Sequence, residues 1–148
     1  MARIQPPGFP VERGKIHEFA NSVLSDDPFH HDLEAARGAG LPSVVAPPTF
    51  PSAAAFFPDE GVRGPDLKGL DMRFLLHGGQ ELVYERPIFA GDELHAEPGE
   101  TRSWEKEGKR GGTMKFVEHE TLWRDEKGDV VLRIRNTLIQ TAGVVKES

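Results

Sequence analysis

The chain has 148 residues, no cysteine and a formal net charge of −6 at pH 7. This length fits one ordinary domain, and the lack of cysteine excludes disulfides, thiol nucleophiles and cysteine-ligated zinc. The acidic balance disfavours nucleic-acid binding, and no apolar run approaches the roughly 18–20 residues needed to span a bilayer. Because the N-terminal residues lack the apolar core and cleavage site of a secretory signal, we expect a cytoplasmic protein.

The first half of the chain is predicted to be helical and rich in loops. Apolar side chains recur at helical spacing over residues 11–23, which predicts an amphipathic helix with one face formed by Ile16, Phe19, Ala20 and Val23. Pro28 ends or bends the next segment of the chain. Asp32 then begins a second short helix, which its side chain can cap and which Gly38 or Gly40 stops.

Residues 47–57 read PPTFPSAAAFF and predict a third helix. Pro47 and Pro48 impose an extended entry, and Thr49 or Ser52 is the candidate N-cap. The run from Ala53 to Phe57 is almost wholly apolar, so this helix has no face for water and is expected to be buried. Pro58 closes it.

The second half predicts four long strands, at residues 75–86, 92–107, 113–125 and 130–141. Glycine-bearing stretches separate the last three, which is typical of hairpins. In the last strand Leu132, Ile134 and Leu138 alternate with Arg133, Arg135 and Thr137. The prediction is an α+β fold in which a long antiparallel sheet wraps around the central apolar helix.

This layout, together with specific stretches, resembles the hot-dog fold of the MaoC-like hydratases and dehydratases, and in particular their N-terminal-type domain. The stretches are VERGKIHEFA, DPFHHDLEAARGAGLPSVVAPPTF, LDMRFLLHGGQELVYERPIFAGDEL and RIRNTLIQ. Together they cover nearly the whole chain. The resemblance implies one hot-dog domain over residues 1–148, with its core at about 11–141.

The resemblance also implies a chemistry. Family members add water to a 2-enoyl thioester on CoA or acyl carrier protein, or remove it from the 3-hydroxyacyl thioester, without a metal or other cofactor. An Asp and a His from a G-D-x-N-P-x-H loop hold the water, because one group must accept a proton while the other donates one. A backbone N–H at a helix start polarises the thioester carbonyl.

The motif transfers only in part to this chain. Pro28 matches the motif proline, Asp27 takes the Asn position and His30 takes the His position. Ser25 stands where the catalytic Asp belongs, and a serine without an activator is not a base at neutral pH. Leu24 takes the Gly position. The candidate catalytic residues are therefore His30, with Ser25 or the neighbouring Asp26 in support.

A second departure lies in the stretch APPTF. Pro48 takes a position where active single-domain members have a glycine, and proline has no N–H to polarise a carbonyl. Thr49 and Phe50 are the alternative donors. The resemblance implies a substrate-binding set made of Pro48, Thr49, Phe50, Phe56, His77 and Gly78.

Both departures fall in one site, which favours a division of labour between chains. In relatives of this type, the N-terminal-like domain shapes the acyl tunnel while a sister domain or subunit carries the Asp–His pair. The resemblance therefore implies an acyl-CoA or acyl carrier protein substrate and a homodimer or heterodimer with a second MaoC-like chain. Edge-to-edge pairing of two sheets would also protect an exposed strand.

Plainer interpretations remain open for the same residues. His30 and His31 can be loop histidines bonded to backbone, and Asp26 and Asp27 can serve turns and caps. A zinc site from His30, His31 and Asp32 is disfavoured because adjacent residues do not converge easily on a tetrahedral centre. His77 can be structural beside Gly78 and Gly79, where Gly79 suggests a bulge or close backbone approach. Arg133 and Arg135 form either a solvated face or a contact for a CoA phosphate or partner.

The sequence is also compatible with two other functions. The chain can be a self-sufficient hydratase that uses His30. It can instead be an acyl-thioester sensor or a hot-dog thioesterase. The thioesterase needs a carboxylate near the central helix, where the sequence offers Asp59 and Glu60.

Overall fold

The computed structural model describes residues 8–56, 69–108 and 112–141. Within these ranges it contains two α-helices and five β-strands. The elements are β1 (Phe9–Pro10), α1 (Arg13–Ser22), α2 (Leu33–Gly38), β2 (Leu75–Tyr84), β3 (Glu93–Glu107), β4 (Thr113–Arg124) and β5 (Val130–Gln140). Short 3-10 helices lie at Pro28–His30, Phe50–Phe56 and Met72–Phe74. No helix in the described ranges has both the length and the apolar character needed to cross a membrane.

The strands form one sheet in the order β1-β3-β4-β5-β2. β1 pairs antiparallel with β3, with Phe9 opposite Leu94. The turn after β3 is closed by Gly108 N–H donating to the Gly112 carbonyl, and the turn after β4 by Asp125 N–H donating to the Asp129 carbonyl. In this strand order β2 lies at an edge of the sheet, although it precedes the other three long strands in the chain.

The described residues group into two compact units. Unit 1 comprises residues 8–56, 84–97 and 123–132. Unit 2 comprises residues 69–83, 98–108, 112–122 and 133–141.

Unit 1 holds a dense aromatic and aliphatic core. Phe50 is completely buried, with its ring centroid 5.8 Å from that of Phe9 and 5.5 Å from that of Phe19. Trp123 packs edge-on against Phe9 at 6.1 Å. The other fully buried large side chains are Ile16, Ile88, Leu94, Leu132, Val44 and Val131. Of the predicted inward face of α1, Ile16 and Ala20 are buried and Phe19 is half-buried, whereas Val23 lies just past the helix end and is 47% exposed. The predicted face is therefore confirmed over the helix but not at Val23.

Unit 2 buries far less. Its buried side chains among the described residues are Val117, His119 and Ile134. It also leaves three large apolar side chains exposed, Met72 at 62%, Leu76 at 56% and Val83 at 40%. All three lie on or just before β2. An edge strand with an exposed apolar surface is the usual mark of a strand that pairs with another chain.

The predicted α+β class and the four long strands are confirmed, with strand ends within two residues of those predicted. The third helix differs in form. It is a 3-10 helix, Phe50–Phe56, and only one side of it is buried, since Ser52 and Ala55 are exposed. The segment is only seven residues long, and 3-10 geometry is used in short helical pieces. Phe57, Pro58, Asp59 and Glu60 lie outside the described residues.

A half-buried arginine ties together two turns of unit 1. The Arg86 guanidinium donates to both carboxylate oxygens of Asp92, at 2.8 and 3.1 Å, and to Asp125 at 3.3 Å. Asp92 also accepts the Phe89 N–H, and Asp125 accepts the N–H groups of Lys127 and Asp129. Charge-assisted bonds of this kind, made in a bidentate fork, hold geometry more firmly than neutral ones.

His119 of β4 is the one buried histidine of unit 2 among the described residues. Its Nδ1 lies 2.9 Å from the Thr101 hydroxyl, while its Nε2 is buried without a hydrogen-bond partner in the described chain. Burial lowers the pKa of His119 below its ordinary value, because a charged imidazolium would lose its hydration. The folded protein therefore holds the neutral ring.

This predicts an acid sensitivity that can be assigned to His119. The unfolded chain takes up a proton near pH 6.5, whereas the folded chain does not until lower pH. The free energy of unfolding should therefore fall as pH drops from about 7.5 to about 5.5, and His119→Gln should flatten that fall. Urea unfolding at several pH values measures it, with His95→Gln as the matched control on β3. Identical slopes in wild type and His119→Gln would contradict the prediction.

Candidate functional site

The loop before α2 is built by side-chain caps at both ends. The Asp27 carboxylate accepts the Phe29 N–H at 2.9 Å and caps the 3-10 helix Pro28–His30. The Asp32 carboxylate accepts the N–H groups of Glu34 and Ala35, at 2.8 and 3.2 Å, and caps α2. Residues 25–32 contain three carboxylates, those of Asp26, Asp27 and Asp32. Two of them, Asp27 and Asp32, thus form a turn and a helix cap, as the sequence predicted for these two residues.

His30 is buried and has a defined orientation. Its Nδ1 lies 2.7 Å from the Val45 carbonyl oxygen. Because a carbonyl oxygen can only accept, Nδ1 carries the proton and Nε2 holds the lone pair in the neutral ring. This is the arrangement by which a backbone carbonyl fixes the tautomer of a histidine base.

The structure does not join the other two predicted catalytic residues to His30. Asp26 is exposed, and Ser25 is half-buried. Among the described residues, neither side chain makes a hydrogen bond to the imidazole. The backbone of Ser25 is nevertheless fixed, because its N–H donates to the Ala20 carbonyl at 2.9 Å.

Leu24, at the position that corresponds to the motif glycine, has a left-handed backbone. Its φ is +56°, the one positive φ at a non-glycine position in the described residues, and its side chain is 92% exposed. A left-handed conformation costs an L-residue roughly 1–2 kcal/mol. The loop therefore turns through a left-handed residue that is not the glycine that would adopt this conformation without strain.

His31 bonds to backbone, as the plainer interpretation predicted, and it also makes a contact with His17 that the sequence did not predict. Its Nε2 lies 2.8 Å from the Ser25 carbonyl oxygen, and its Nδ1 lies 2.8 Å from Nδ1 of His17 on α1. With Asp32 engaged as a cap, His30, His31 and Asp32 each point to a different partner. Among the described residues no group of three or more His, Asp or Glu side chains is arranged to hold a metal ion.

The turn at residues 47–50 is held by Tyr84 at the end of β2. The Tyr84 hydroxyl donates to the Pro48 carbonyl at 2.5 Å, and the Phe50 N–H donates to the Pro47 carbonyl at 2.9 Å. Burial raises the pKa of Tyr84 to about 12. Sequence inspection missed this tyrosine because its partner lies 36 residues away and is a backbone atom.

The turn leaves few donors for a substrate carbonyl. Pro48 has no N–H, and that of Phe50 is already bonded. Thr49 is exposed, and its N–H has no partner among the described residues. Of the two alternative donors predicted from the sequence, Thr49 is the one that stays available.

The remaining predicted substrate-binding residues are scattered over different elements. Phe50 is completely buried in the core of unit 1, and Phe56 ends the same 3-10 helix. His77 is exposed on β2 in unit 2. A Cβ on Gly78 would lie 2.6 Å from the Ile139 side chain, whereas one on Gly79 would meet nothing within 4 Å. The close approach expected at Gly79 therefore occurs at Gly78.

Arg135 is neutralised within unit 2. Its guanidinium donates to Glu81 at 3.0 Å and to Glu120 at 3.2 Å. Arg102 pairs with Glu118 in the same polar cleft, which Glu100 also lines. The cleft is lined by three carboxylates, those of Glu100, Glu118 and Glu120, and by two guanidiniums, and Glu81 also pairs with Arg135. This leaves no surplus positive charge, which disfavours a CoA-phosphate contact there.

Known proteins share both the sequence and the fold of this chain. A model of the FAS1-like dehydratase domain region matches residues 2–134. The chain belongs to this dehydratase family. A UPF0336 protein of Saccharopolyspora erythraea is 42% identical over 60% of the chain, a match that spans 56% of that relative.

Two solved structures place the chain among the MaoC-like hot-dog dehydratases. One is the C-terminally truncated HadBC (3R-hydroxyacyl-ACP dehydratase) complex of Mycobacterium tuberculosis, 29% identical over 91% of each chain, with a TM-score of 0.68. The other is a MaoC-like dehydratase, 27% identical over 90% of this chain and 39% of that one, with a TM-score of 0.71. The predicted hot-dog fold and MaoC-like family are thus confirmed, and both of these neighbours are dehydratases by name.

Leu24→Gly should stabilise this dehydratase-family chain. Glycine adopts a positive φ without strain, so we expect the free energy of unfolding to rise by about 0.5–1 kcal/mol. Leu24→Ala is the control, because it trims the exposed side chain but keeps the strain. Equal effects of the two variants in urea titrations would show that the loop carries no such strain.

Tyr84 offers a direct spectroscopic test, because it is the only tyrosine in the chain. Ultraviolet titration of the folded protein should give a phenolate midpoint of about 12. The urea-unfolded chain should titrate near 10. The folded form binds the phenolic proton more tightly, so stability should decline as pH rises from about 10 towards 12. A native midpoint near 10, with the fold intact by circular dichroism, would contradict burial of the hydroxyl.

Proposed function

We propose that this chain is a subunit of an acyl-thioester hydratase or dehydratase. It acts on 2-enoyl or 3-hydroxyacyl thioesters of CoA or acyl carrier protein, and it shapes the acyl tunnel. A second MaoC-like chain supplies the Asp–His pair. The observation that carries the proposal is Ser25 at the position of the Asp in the motif loop.

The chemical groups that the reaction requires support a division of roles between two chains. Hydration needs a base on the water and a donor at the thioester carbonyl. Here Ser25 supplies no carboxylate, and Pro48 supplies no N–H. The Phe50 N–H is already bonded to Pro47, so the loss at position 48 is not repaired at position 50.

The exposed surface of unit 2 supports a partner chain. β2 is a ten-residue edge strand, and Met72, Leu76 and Val83 expose large apolar side chains on or next to it. Pairing with the edge strand of a second hot-dog sheet would cover both the backbone and these side chains. The HadBC complex, which resembles this chain over 91% of its length, consists of two different subunits by its name.

In this proposal Thr49, Phe50, Phe56, His77 and Gly78 remain the predicted contacts of the acyl thioester. Acid–base chemistry on water needs no redox cofactor, so none is invoked. His77 and Gly78 lie on the strand that we assign to the interface, which would place them where two chains meet.

One observation favours a self-sufficient hydratase as the second candidate. His30 is oriented by the Val45 carbonyl at 2.7 Å, and its Nε2 is thereby left as an acceptor suited to a water. In that case His30 acts as the base, and Thr49 N–H is the remaining donor for the carbonyl.

Variants of this chain and of its proposed partner separate the two candidates. The chain is purified alone and together with a co-expressed MaoC-like chain that has an intact G-D-x-N-P-x-H loop. Hydration of crotonyl-CoA is then followed by the loss of enoyl absorbance. For a subunit, the lone chain is inactive, and Asp→Asn in the partner's loop lowers kcat by about 100-fold or more. His30→Ala then has a small effect, comparable to the control His95→Ala.

The self-sufficient hydratase predicts the reverse. The lone chain turns over substrate, and His30→Ala abolishes that activity. Native mass measurement adds a readout of assembly, since Leu76→Asp should separate the co-expressed pair by placing a charge in the interface. Full activity of the lone wild-type chain would overturn the subunit proposal.

A further inference from the structure

His17 and His31 form a contact that the acid–base scheme does not use. Their rings meet nearly at right angles, at 87°, with centroids 4.8 Å apart. The two Nδ1 atoms are 2.8 Å apart, and Nε2 of His31 is 2.8 Å from the Ser25 carbonyl oxygen. The chain of contacts runs from α1, through His31, to the residue at the catalytic Asp position.

The partners determine where the protons sit. The Ser25 carbonyl accepts only, so Nε2 of His31 must carry a proton. In the neutral ring Nδ1 of His31 is then the acceptor, and Nδ1 of His17 must donate to it. Both rings are thereby fixed in opposite tautomers, His17 protonated on Nδ1 and His31 on Nε2.

The contacts of Ser25 and His31 fix both ends of the loop that carries His30. Ser25 is held by its N–H to Ala20 and by its carbonyl to His31, so its peptide groups are bonded on both sides. His31 directly follows His30, whose own Nδ1 is bonded to Val45. Because His30 and His31 are adjacent, we expect a change in the contacts of the His31 ring to alter the backbone that carries His30.

We propose that His17 and His31 are positioning residues that set the loop at residues 25–30. They work as a two-imidazole relay from α1 to the Ser25 carbonyl. The part of this that concerns chemistry at His30 rests on the proposed function, whereas the relay itself does not. Arg13 on α1 and Asp32 and Glu34 at the start of α2 line the same open groove, so the relay lies among charges of both signs.

Matched substitutions at His17 test the relay. His17 is exposed on α1, so its replacement should not unfold the protein. In His17→Asn the amide nitrogen stands near the position of Nδ1 and can still donate to His31. His17→Leu and His17→Gln remove that donor, since the glutamine amide extends beyond it. Lys15→Met on the same helix is the control.

The first readout is the tautomeric state, from long-range proton–nitrogen spectra of histidine-labelled protein at neutral pH. Wild type should show His17 protonated on Nδ1, His31 on Nε2 and His30 on Nδ1. His17→Asn should leave the His30 and His31 signals unchanged. His17→Leu and His17→Gln remove the donor to Nδ1 of His31 and should shift the signal of that nitrogen, while the Ser25 and Val45 carbonyls keep the protons on Nε2 of His31 and Nδ1 of His30. A surface histidine without this contact would leave the His31 signals unchanged.

The second readout is amide exchange over residues 25–31. It should accelerate about tenfold or more in His17→Leu and His17→Gln, and stay within about twofold in His17→Asn and Lys15→Met, since local opening sets these rates. Mixed tautomers at His17 and His31 in wild type, or unchanged exchange in His17→Leu, would overturn the relay. Neither readout requires turnover, so failure of the relay and failure of the proposed function are distinguished.

Discussion

The structure of the site depends on the backbone of residues 44–46. Val45 accepts the His30 Nδ1–H through its carbonyl and donates its N–H to the Phe29 carbonyl at 2.9 Å. On either side, the Ala46 N–H donates to Ile88, and the Ala90 N–H donates to Val44. Val44 and Ile88 are essentially inaccessible to solvent. A loop that would otherwise be free is thus hydrogen-bonded directly to the buried core of unit 1, and the His30 tautomer follows from that attachment.

Much of the fold could be predicted because its signals are local. The alternation of β5, the apolar face of α1 and the cap at Asp32 each depend on neighbouring residues in the chain. The 3-10 form of Phe50–Phe56 was not predicted. The composition of this segment shows that it is apolar, but it does not show which side of the helix faces solvent. The edge position of β2 depends on pairing over long sequence separations, for which one sequence holds no direct signal.

The site divides in the same way. The losses at Ser25 and Pro48 are visible by comparison with the motif, and Asp27 and Asp32 are recognisable as caps from spacing. That His30 and His31 bond to backbone was one of the predicted interpretations, but their partners could not be found from the sequence. The same holds for Tyr84 and for the contact of His31 with His17. The carbonyl acceptors belong to Val45, Ser25 and Pro48, and any residue type provides such a group.

Leu24 and Pro48 also show how the shape of the candidate site is maintained. The left-handed backbone at Leu24 carries an energetic cost and is held by hydrogen bonds on both sides of it. The Pro48 turn is held by Tyr84 through a carbonyl rather than an N–H. Shape is therefore maintained by groups different from those that would carry the reaction, and the two can change independently.

The edge strand β2 has a consequence for the fate of the protein in the cell. Its sequence, LLHGGQELVY, contains one charged residue and no proline or lysine to block further pairing. A newly made copy without a partner would present this strand to other copies of itself or to proteases. Under the proposed pairing, the amount of this chain would be limited by the supply of the second chain, so the proposed activity would depend on balanced synthesis of the two.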